Sequence, residues 1–499
     1  MARLPLASLT ALALAAFSLA PSLHAQSGAT TEQLPPKTWV DKDTGHRVWR
    51  ISDEPNSGAY YFNVNAYTPD HKQMVYNSPD GIRVLDLATM KTSILVPNAP
   101  PPANADNSPI GRFGRGAHAI VVGHKTNSVF FTRIDPSTHK NALYKANTNT
   151  REVRKLIDLP GRLGIVSINA DETLGAGTYN EADVPGGDPN ALNAFVNNPP
   201  PAPPPANANA AANLGGAHVQ SDDKGQMMER RLAARIPLVL FTIRIEPGPN
   251  GEKPGTIKPL LHSTDWVNHL LFSPSDPELL MYCHEGMWQK VDRIWLIHTD
   301  GTHNTLIHKR SMAMEIAGHE FWGLDGKTIW YDWQYPKGED FFLASYNLET
   351  GRRTAYHMQR NEWSIHFNLT NDLDLFTGDG GDSGQVAQAP DGEWIELFYP
   401  HTIPQGEGAL NGPDFFQPGV FKSERLVNMS HHNYRAEPNV RFTPDKKLVF
   451  FTSNMFGPSY IFGVEVTKAV NPPAADVEST PDLARKYNPV EPTPTTTEK

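Results

Sequence analysis

The stretch AGHEFWGLDGKTIWYD (317–332) has the pattern of a β-hairpin, with an apolar run, a polar turn and a second apolar run. The same order of apolar anchor, polar turn and apolar strand recurs along the chain. The seven copies, the second of them the weakest, are YTPDHKQMVYNS (67–78), VVGHKTNSVFFT (121–132), INADETLGAGTY (168–179), FSPSDPELLMYC (272–283), WGLDGKTIWYDW (322–333), LTNDLDLFTGD (369–379) and FTPDKKLVFFTS (442–453). Where no insertion intervenes they start about 47 to 54 residues apart, the period of propeller blades. We therefore predict an all-β fold, a seven-bladed β-propeller, over residues 39–467.

The last blade has too few strands of its own, and HRVWRIS (46–52) near the N-terminus is predicted to supply its outer strand.

Residues 1–25 have an early Arg3, an apolar Leu/Ala core and a small-residue end, which predicts a secretory signal peptide and a periplasmic or secreted protein. The Pro/Ala/Asn-rich segment 184–228 is predicted to be a flexible insertion. The Pro/Thr-rich segment 468–499 is predicted to be a disordered tail.

Bulk composition excludes several classes of partner. The net charge of −10 argues against general binding to nucleic acids or anionic membranes. After the signal peptide, no stretch approaches the roughly 20 apolar residues of a membrane-spanning helix. The single cysteine, Cys283, rules out an intrachain disulfide, so stability must come from a packed core. An acidic ligand would have to be bound by local positive charge.

Polar residues recur at one position of the repeat, three residues before each apolar anchor. In chain order the seven copies carry Val64, His118, Ile165, His269, His319, His366 and Asn439 there. This position is predicted to open the innermost strand of a blade and to face the central channel. A lone histidine at such a place is more often structural. Four histidines on one axis, in a chain that has only 19, suggest a metal site, a general base or both.

Further candidates lie close to these strands. His284, in YCHEGMW (282–288), either lines the same channel or is a hydrogen-bonded turn residue. Arg230, Arg231 and Arg235 are either ordinary surface charges or include one that reaches the channel to pair with a carboxylate, for which a guanidinium is well suited.

A dense polar cluster precedes the last blade, in MSHHNYRAEPNVRFTPD (429–445). Its members are His431, His432, Asn433, Tyr434, Arg435, Glu437 and Asn439. Burying such groups is costly unless a ligand or a metal pairs with them, so the cluster is interpreted as functional.

Four blocks of the chain resemble the oligogalacturonate lyase family of polysaccharide lyases. They are WVNHLLFSP (266–274), CHEGMWQKVDRIWLIHTDGT (283–302), AGHEFWGLDG (317–326) and EPNVRFTPDKKLVFFTSN (437–454). The resemblance covers about residues 39–466. It implies a seven-bladed propeller that cleaves short pectin fragments by β-elimination with a divalent metal, typically manganese. It also implies that His269 is the base, that His319 is a metal ligand, and that an arginine of the Arg235 region neutralises the substrate carboxylate.

The chain departs from the family at the remaining metal ligands. The family carries Q-x-x-H-P-H before the last blade, and the matching residues here are Tyr434, Glu437 and Asn439. Oxygen ligands suit manganese or calcium better than zinc or copper. We therefore expect a divalent metal, Mn or Ca, held by His319, Glu437 and Asn439, with Arg435 as the alternative cation.

β-Elimination from a 4-linked uronate removes the C5 proton and expels the oxygen at C4. A neutral imidazole is a suitable base near neutral pH, which favours His269. Tyr434, His366 or water would assist the leaving oxygen. His118, His284, His366 and Arg435 are predicted to bind an acidic oligosaccharide. The alternative is a non-catalytic propeller that acts as an exported scaffold; it would not need converging histidines beside Glu and Arg.

Overall fold

The structure is a computed structural model that describes residues 34–98, 116–135, 137–138, 140–160, 163–181, 221–384, 389–406, 412 and 414–493, with the backbone alone at 221–225. The predicted signal peptide (1–25) and residues 184–220 of the predicted insertion lie outside these ranges. Within them the chain is built from short strands in small sheets, which confirms the predicted all-β class. None of the helices in these ranges has the length and apolarity needed to cross a membrane.

Strands are numbered in chain order, beginning with β1 (Thr38–Asp41) and β2 (His46–Arg50). Four small antiparallel sheets follow. Sheet I holds β3 (Gln73–Ser78), β4 (Gly81–Asp86) and β5 (Lys91–Pro97), and sheet II holds β6 (His118–Val122), β7 (Ser128–Ile134), β8 (Asn141–Asn147) and β9 (Val153–Asp158). Sheet III holds β10 (Ser167–Ile168), β11 (Leu174–Asn180), β12 (Leu238–Arg244) and β13 (Ile257–Ser263). Sheet IV holds β14 (Trp266–Phe272), β15 (Leu279–Glu285), β16 (Ile294–His298) and β17 (Thr305–Leu306).

Sheet V has eight strands made of two antiparallel halves. One half is β18 (Ile316–Trp322), β19 (Thr328–Gln334), β20 (Phe341–Asn347) and β21 (Arg353–His357). The other is β22 (Phe367–Leu369), β23 (Phe376–Gly378), β24 (Trp394–Thr402) and β25 (Phe416–Asn428). The outer strands β21 and β25 pair in parallel and join the halves.

Sheet VI brings the two ends of the described chain together. It holds β26 (Arg441–Phe442), β27 (Leu448–Ser453), β28 (Tyr460–Lys468), β2, β1 and β29 (Val477–Glu478), in that order. Strand β2 pairs antiparallel with β28, with Trp49 opposite Gly463. HRVWRIS thus pairs with the last long strand of the chain, as predicted.

The polar turns of the repeat end where the predicted strands begin. In WGLDGKTIWYDW, the Asp325 carboxylate accepts hydrogen bonds from the backbone N–H groups of Lys327 and Thr328, and Gly326 takes the left-handed φ of +66° that closes the turn. Strand β19 follows at once. Its side chains alternate between two clusters: Ile329 and Tyr331 pack with residues of sheet IV, while Trp330 packs toward the second half of sheet V. Burial on both faces explains why these strands are almost wholly apolar.

Residues 468–493 of the predicted disordered tail are ordered, and residues 494–499 lie outside the described ranges. Strand β29 pairs in parallel with β1, and helix α2 (Thr480–Tyr487) buries Leu483 in the cluster that contains Trp39. Thr480 accepts a 2.7 Å hydrogen bond from the Trp39 indole. The Pro/Thr-rich segment contains a short amphipathic helix. Burial of its apolar side chains offsets the conformational entropy lost when it becomes ordered.

Part of the predicted flexible insertion is also ordered. Helix α1 (Ser221–Ala234) overlaps the end of segment 184–228 and leads into β12. Met228 is buried, so apolar burial holds this part of the helix against sheet IV, where Leu232 lies beside Gly286. The helix ends immediately before Arg235, whose backbone has a left-handed φ of 47°.

Candidate active site

Three of the predicted histidines lie together. His269 and His319 lie in the middle of β14 and β18, rather than at the strand starts as predicted, and His366 immediately precedes β22. The His319 and His366 ring centroids are 4.9 Å apart. The Tyr61 ring lies 5.0 Å from that of His366 and 6.4 Å from that of His269. Side chains from three successive repeats therefore meet around one segment that precedes sheet I.

The backbone at this position of the repeat is unusual. His269, His319 and Asn439 have left-handed φ values of 47°, 45° and 55°. Strand β14 bulges between Asn268 and Leu271, and β18 between Gly318 and Phe321. A bulge redirects the side chain it carries, and a left-handed conformation at a non-glycine residue costs about 1–3 kcal/mol, so it tends to persist at functional positions.

His269 is hydrogen-bonded to a buried carboxylate. Its Nε2 lies 3.0 Å from Oε2 of Glu285 on the adjacent strand. Oε1 of Glu285 accepts a 2.6 Å hydrogen bond from Nη1 of Arg293, whose Nε donates to Oε2 of Glu320 at 3.0 Å. Burial acts to raise the pKa of Glu285, but the Arg293 charge and the His269 hydrogen bond outweigh it and hold that pKa below its usual range. An ionised Glu285 only accepts, so His269 donates through Nε2 and keeps the lone pair on Nδ1.

Trp288 connects this group to His319. The Arg293 guanidinium lies 4.7 Å from the centroid of the Trp288 ring, and the Trp288 ring packs edge-on against His319 at 4.8 Å. Gly318 makes this approach possible, because a Cβ at that position would lie 2.5 Å from the Trp288 ring. The glycine of the AGHEFW block therefore has a packing role beside the histidine.

His319 and His366 are each oriented by a carboxylate. Nδ1 of His319 lies 3.2 Å from Oδ2 of Asp332, and Nδ1 of His366 lies 2.8 Å from Oδ2 of Asp379. Burial acts to lower the pKa of His366, but the adjacent Asp379 charge outweighs it and raises that pKa. Nε2 of His366 lies 3.1 Å from the Tyr61 hydroxyl and 3.9 Å from Oε2 of Glu437. A carboxylate behind each imidazole is the arrangement usual for histidines that bind metals.

Two predicted functional residues do not fit their roles. Tyr434 is only 1% exposed, and its hydroxyl donates to the backbone carbonyl of Asp379 at 3.2 Å, so it is a core residue that cannot reach a sugar. The side-chain amide of Asn439 is hydrogen-bonded to backbone groups. Its Oδ1 accepts from the Phe62 N–H at 2.9 Å, and its Nδ2 donates to the Glu437 carbonyl at 2.9 Å. Of the three residues predicted to hold a metal, only His319 and Glu437 have suitable side chains.

Four other predicted residues lie elsewhere. Arg235 is exposed and forms an ion pair with Asp265. His284 is on the face of β15 opposite Glu285, where its ring stacks on Trp295 at 4.8 Å. His118 is half-buried at the start of β6, and Arg435 is exposed in the loop before β26. Substrate binding by His118 and Arg435 stays a prediction.

Arg231 is a second arginine near the group around His269. Its guanidinium lies 4.1 Å from the centroid of the Trp266 ring, and Trp266 pairs with Glu285 across the sheet. Burial lowers the pKa of Arg231, and the charge of Glu285 acts in the opposite direction. Arg231 was one of three arginines weighed from the sequence. Arg293, Tyr61, Asp332 and Asp379 were missed, because only the strand pairing brings them to the histidines.

The chain is similar to known lyases. A sequence profile of the family described as oligogalacturonate lyase matches residues 250–470. The oligogalacturonide lyase of Pectobacterium atrosepticum is 26% identical over 220 residues, 43% of this chain and 54% of that protein. The oligogalacturonate lyase of Dickeya dadantii is 26% identical over 225 residues, 44% of this chain and 54% of that protein. The matched part of this chain thus spans about half the length of these curated relatives.

Two solved structures share the fold. One is an oligogalacturonate lyase in complex with manganese, with a TM-score of 0.60 and 20% identity over 86% of this chain and 96% of that one. The other is an oligogalacturonate lyase from Vibrio parahaemolyticus, with a TM-score of 0.58, 20% identity and the same coverage. The resemblance that the sequence blocks predict is confirmed, and the matched segment contains His269, His319 and His366.

Proposed function

We propose that this protein is a lyase that cleaves oligogalacturonate, or a related uronate-containing oligosaccharide, by β-elimination and leaves a 4,5-unsaturated uronate at the new end. One observation carries the proposal: His269, with Nε2 on the Glu285–Arg293 pair and Nδ1 left to accept a proton, is linked through Tyr61 and Trp288 to His319 and His366. The names of the relatives agree with it. A non-catalytic scaffold would not need a carboxylate oriented behind each of these histidines.

The base in this reaction is His269. Its Nδ1 takes the C5 proton, the electrons of the C5–H bond form the C4–C5 double bond, and the C4–O bond breaks with its electron pair going to the oxygen, which takes a proton from water. Glu285 remains ionised and stabilises the imidazolium that forms, and Arg293 holds Glu285 in place. A positioned general base of this kind typically contributes about 10²- to 10⁴-fold in rate.

The negative charge that develops beside the substrate carboxylate must be neutralised. Arg231 is the best placed arginine, because Arg235 is already paired with Asp265 and Arg293 is buried between Glu285 and Glu320. Its position over Trp266, which lies on the strand of His269 and pairs with Glu285, supports a carboxylate bound next to His269. A preorganised donor aimed at developing charge is commonly worth about 3–4 kcal/mol.

We propose that His319, His366 and Glu437, at the other end of the group, would hold a divalent metal, with Asp332 and Asp379 behind the two imidazoles. Among the described residues, buried Oδ1 of Asp332 has no hydrogen-bond partner. Two nitrogen donors and one carboxylate favour manganese over calcium, which prefers oxygen ligands alone. When bound, the ion would supply positive charge for the substrate carboxylate.

The finer architecture that we propose is a closed seven-bladed propeller. Sheets I–IV, the two halves of sheet V and sheet VI give seven units of three or more strands. Each apolar cluster combines residues of units that follow one another in the chain, and one cluster joins sheet VI to sheets I and II. This cyclic packing and the pairing of β2 with β28 support a ring.

Export is proposed from the N-terminal residues alone. The sequence of residues 1–25 supports cleavage near Ala25 and a periplasmic or secreted protein. N-terminal sequencing of protein recovered outside the cytoplasm tests it: the expected chain begins after Ala25, and a chain that retains residues 1–25 contradicts export.

Product analysis tests the proposed reaction. The protein is incubated with oligogalacturonides in the presence of manganese, and the products are followed by ultraviolet absorbance and mass spectrometry. Elimination gives a conjugated, absorbing end and two fragments whose masses add up to that of the substrate. Fragments heavier by one water in total, without absorbance, would show hydrolysis and contradict the proposal. A panel of other uronate polymers identifies the preferred glycan.

A further inference from the structure

A thiol lies beside the proposed base. Cys283, the only cysteine of the chain, is fully buried on β15, two residues from Glu285 and on the same face of the strand. Across the sheet it pairs with Asn268, the neighbour of His269. Donor atoms of His269, Cys283 and Glu285 all lie within 4.8 Å of one another. The structure therefore brings an imidazole, a thiol and a carboxylate to one point.

The spacing of these donors is close to that of a tetrahedral metal site. Nε2 of His269 lies 3.0 Å from Oε2 of Glu285, and Sγ of Cys283 lies 3.9 Å from the same oxygen. Zinc bonds of about 2.0–2.3 Å in a tetrahedron place neighbouring donor atoms about 3.3–3.6 Å apart. Movements of a few tenths of an ångström would bring these two pairs to that spacing, and His269 and Cys283, whose donor atoms lie within 4.8 Å of each other, would have to approach as well. The His269 side chain is 31% exposed, which leaves a side open to solvent for entry and for a fourth ligand.

The chemistry of the three donors selects a particular class of ion. Thiolate and imidazole bind zinc and cadmium well, whereas manganese and calcium prefer carboxylate and carbonyl oxygens. Arg293 donates a hydrogen bond to Oε1 of Glu285, so Oε2 is the oxygen that faces His269 and Cys283. Its positive charge opposes a cation. Burial holds the pKa of the Cys283 thiol well above its ordinary value, and the Arg293 charge offsets only part of that effect.

We propose that His269, Cys283 and Glu285 form an inhibitory site for a thiophilic divalent ion, zinc or cadmium, distinct from the proposed manganese site at His319, His366 and Glu437. Binding removes the thiol proton to solvent and forms a bond from Sγ to the ion. The ion takes the lone pair of Nε2 of His269, and the Nε2 proton moves to Nδ1. With Nδ1 protonated, His269 has no lone pair for the C5 proton. The inhibition rests on the proposed function, but the binding does not.

Cadmium titration of the purified protein tests the binding without reference to activity. Because the chain has one cysteine, a cadmium–thiolate absorption band in the ultraviolet reports this site alone. We expect the band to saturate at one ion per chain, with release of one proton per ion. His269→Ala should weaken cadmium binding at the thiol at least about ten-fold, since losing a ligand costs no less than losing a supporting residue. Absence of the band in the wild type, or unchanged affinity in His269→Ala, would overturn the site.

His284→Ala is the matched control, because His284 is on the opposite face of the same strand, and it should bind cadmium as the wild type does. In lyase assays, Cys283→Ala should need at least about ten-fold more cadmium for half inhibition, relative to its own uninhibited rate. Equal sensitivity in Cys283→Ala and wild type would overturn the inhibitory role. Cadmium binding as described in a protein with no lyase activity would leave the site standing and reject the proposed function.

Discussion

Nε2 of His269 and Oε2 of Glu285 are 3.0 Å apart, and the carboxylate is fixed by Arg293 on its other oxygen. This pair decides which nitrogen of His269 is available for chemistry. With Glu285 ionised, the imidazole donates through Nε2, and Nδ1 is left to accept a proton. The side chain of His269 is 31% exposed, whereas that of Glu285 is 8% exposed. His269 is thus placed as a base whose imidazole is oriented by the buried carboxylate of Glu285.

Replacing Glu285 by Gln should lower kcat by roughly 10²- to 10⁴-fold, the range found when a catalytic histidine or its orienting carboxylate is lost. The amide keeps the size of the side chain but can donate to Nε2, which favours the tautomer with its proton on Nδ1. Steady-state kinetics on oligogalacturonides measures the effect. His284→Ala, on the other face of β15, is the control and should retain most of the activity; equal losses in both variants would contradict the assignment.

Arg293→Met should destabilise the fold by about 3–5 kcal/mol, because it leaves Glu285 and Glu320 buried beside each other without a cation. Urea unfolding followed by tryptophan fluorescence measures the free energy of unfolding. Adding Glu285→Gln and Glu320→Gln to the same chain should recover part of the loss. A loss below about 1 kcal/mol, typical of an exposed pair, would mean that Arg293 is not the buried counter-ion described here.

His319→Ala and His366→Ala should each weaken manganese binding by about 10- to 100-fold or more. Isothermal titration calorimetry gives the affinity independently of turnover. Tyr434→Phe is the control: its hydroxyl contacts only the interior, so it should lose about 1 kcal/mol of stability and keep its manganese affinity. Manganese binding that survives both histidine replacements would place the metal elsewhere.

The free energy of unfolding should fall as the pH rises from about 5 to 8, because the folded protein holds Glu396 in its protonated form. Burial raises its pKa to about 8, Glu362 and Asp391 repel its charge, and Arg425 at 3.7 Å compensates only in part. Between its ordinary pKa and about 8 the folded state holds a proton that the unfolded state has lost, so its contribution to stability is present at low pH and disappears as the pH rises. Urea unfolding of wild type and Glu396→Gln at pH 5 and pH 8 measures this. The variant should lose less stability than the wild type over that interval, and an equal loss would contradict the raised pKa.

Leu483→Ala should lower the free energy of unfolding by about 2–3 kcal/mol, since Leu483 is buried against the cluster around Trp39. Val490, 71% exposed in the same tail, is the matched control, and Val490→Ala should change stability by no more than about 0.5 kcal/mol. Urea unfolding measures the free energy of unfolding of both variants and of the wild type. If both variants match the wild type, the C-terminal helix does not contribute to the fold.

The repeated strands were predictable because their signals are local. An apolar anchor, a turn such as LDGK and an apolar run specify a hairpin within about a dozen residues. The fixed offset from the anchor then identified His269, His319 and His366 as neighbours. The pairing of HRVWRIS with the last strands followed from counting strands. STPDLARKY contains an N-cap serine, an early proline and an acidic first turn, which are signals for the start of a helix. The C-terminal helix was not predicted, because the Pro/Thr-rich composition of the segment indicates disorder.

The partners of the histidines were harder to predict. Arg293 reaches Glu285 only because a turn and an antiparallel pairing bring β16 back alongside β15. Tyr434 and Asn439 occupy positions of the predicted metal motif, but Tyr434 bonds a carbonyl in the protein interior and Asn439 bonds the backbone of Phe62 and Glu437. The left-handed backbone of His269 and His319 could not be predicted from the residue type alone, because only a few per cent of non-glycine residues adopt it, although histidine is enriched among them.

The rate at which unsaturated product forms in wild type and in His269→Ala decides whether His269 is the base of an elimination reaction. Both proteins are assayed on oligogalacturonides with manganese, after thermal unfolding has shown that they are equally folded. The account predicts absorbance that rises with the wild type and a rate lower by about 10²- to 10⁴-fold for the variant. Equal rates in the two proteins, or no unsaturated product from the wild type on any uronate polymer, would contradict it.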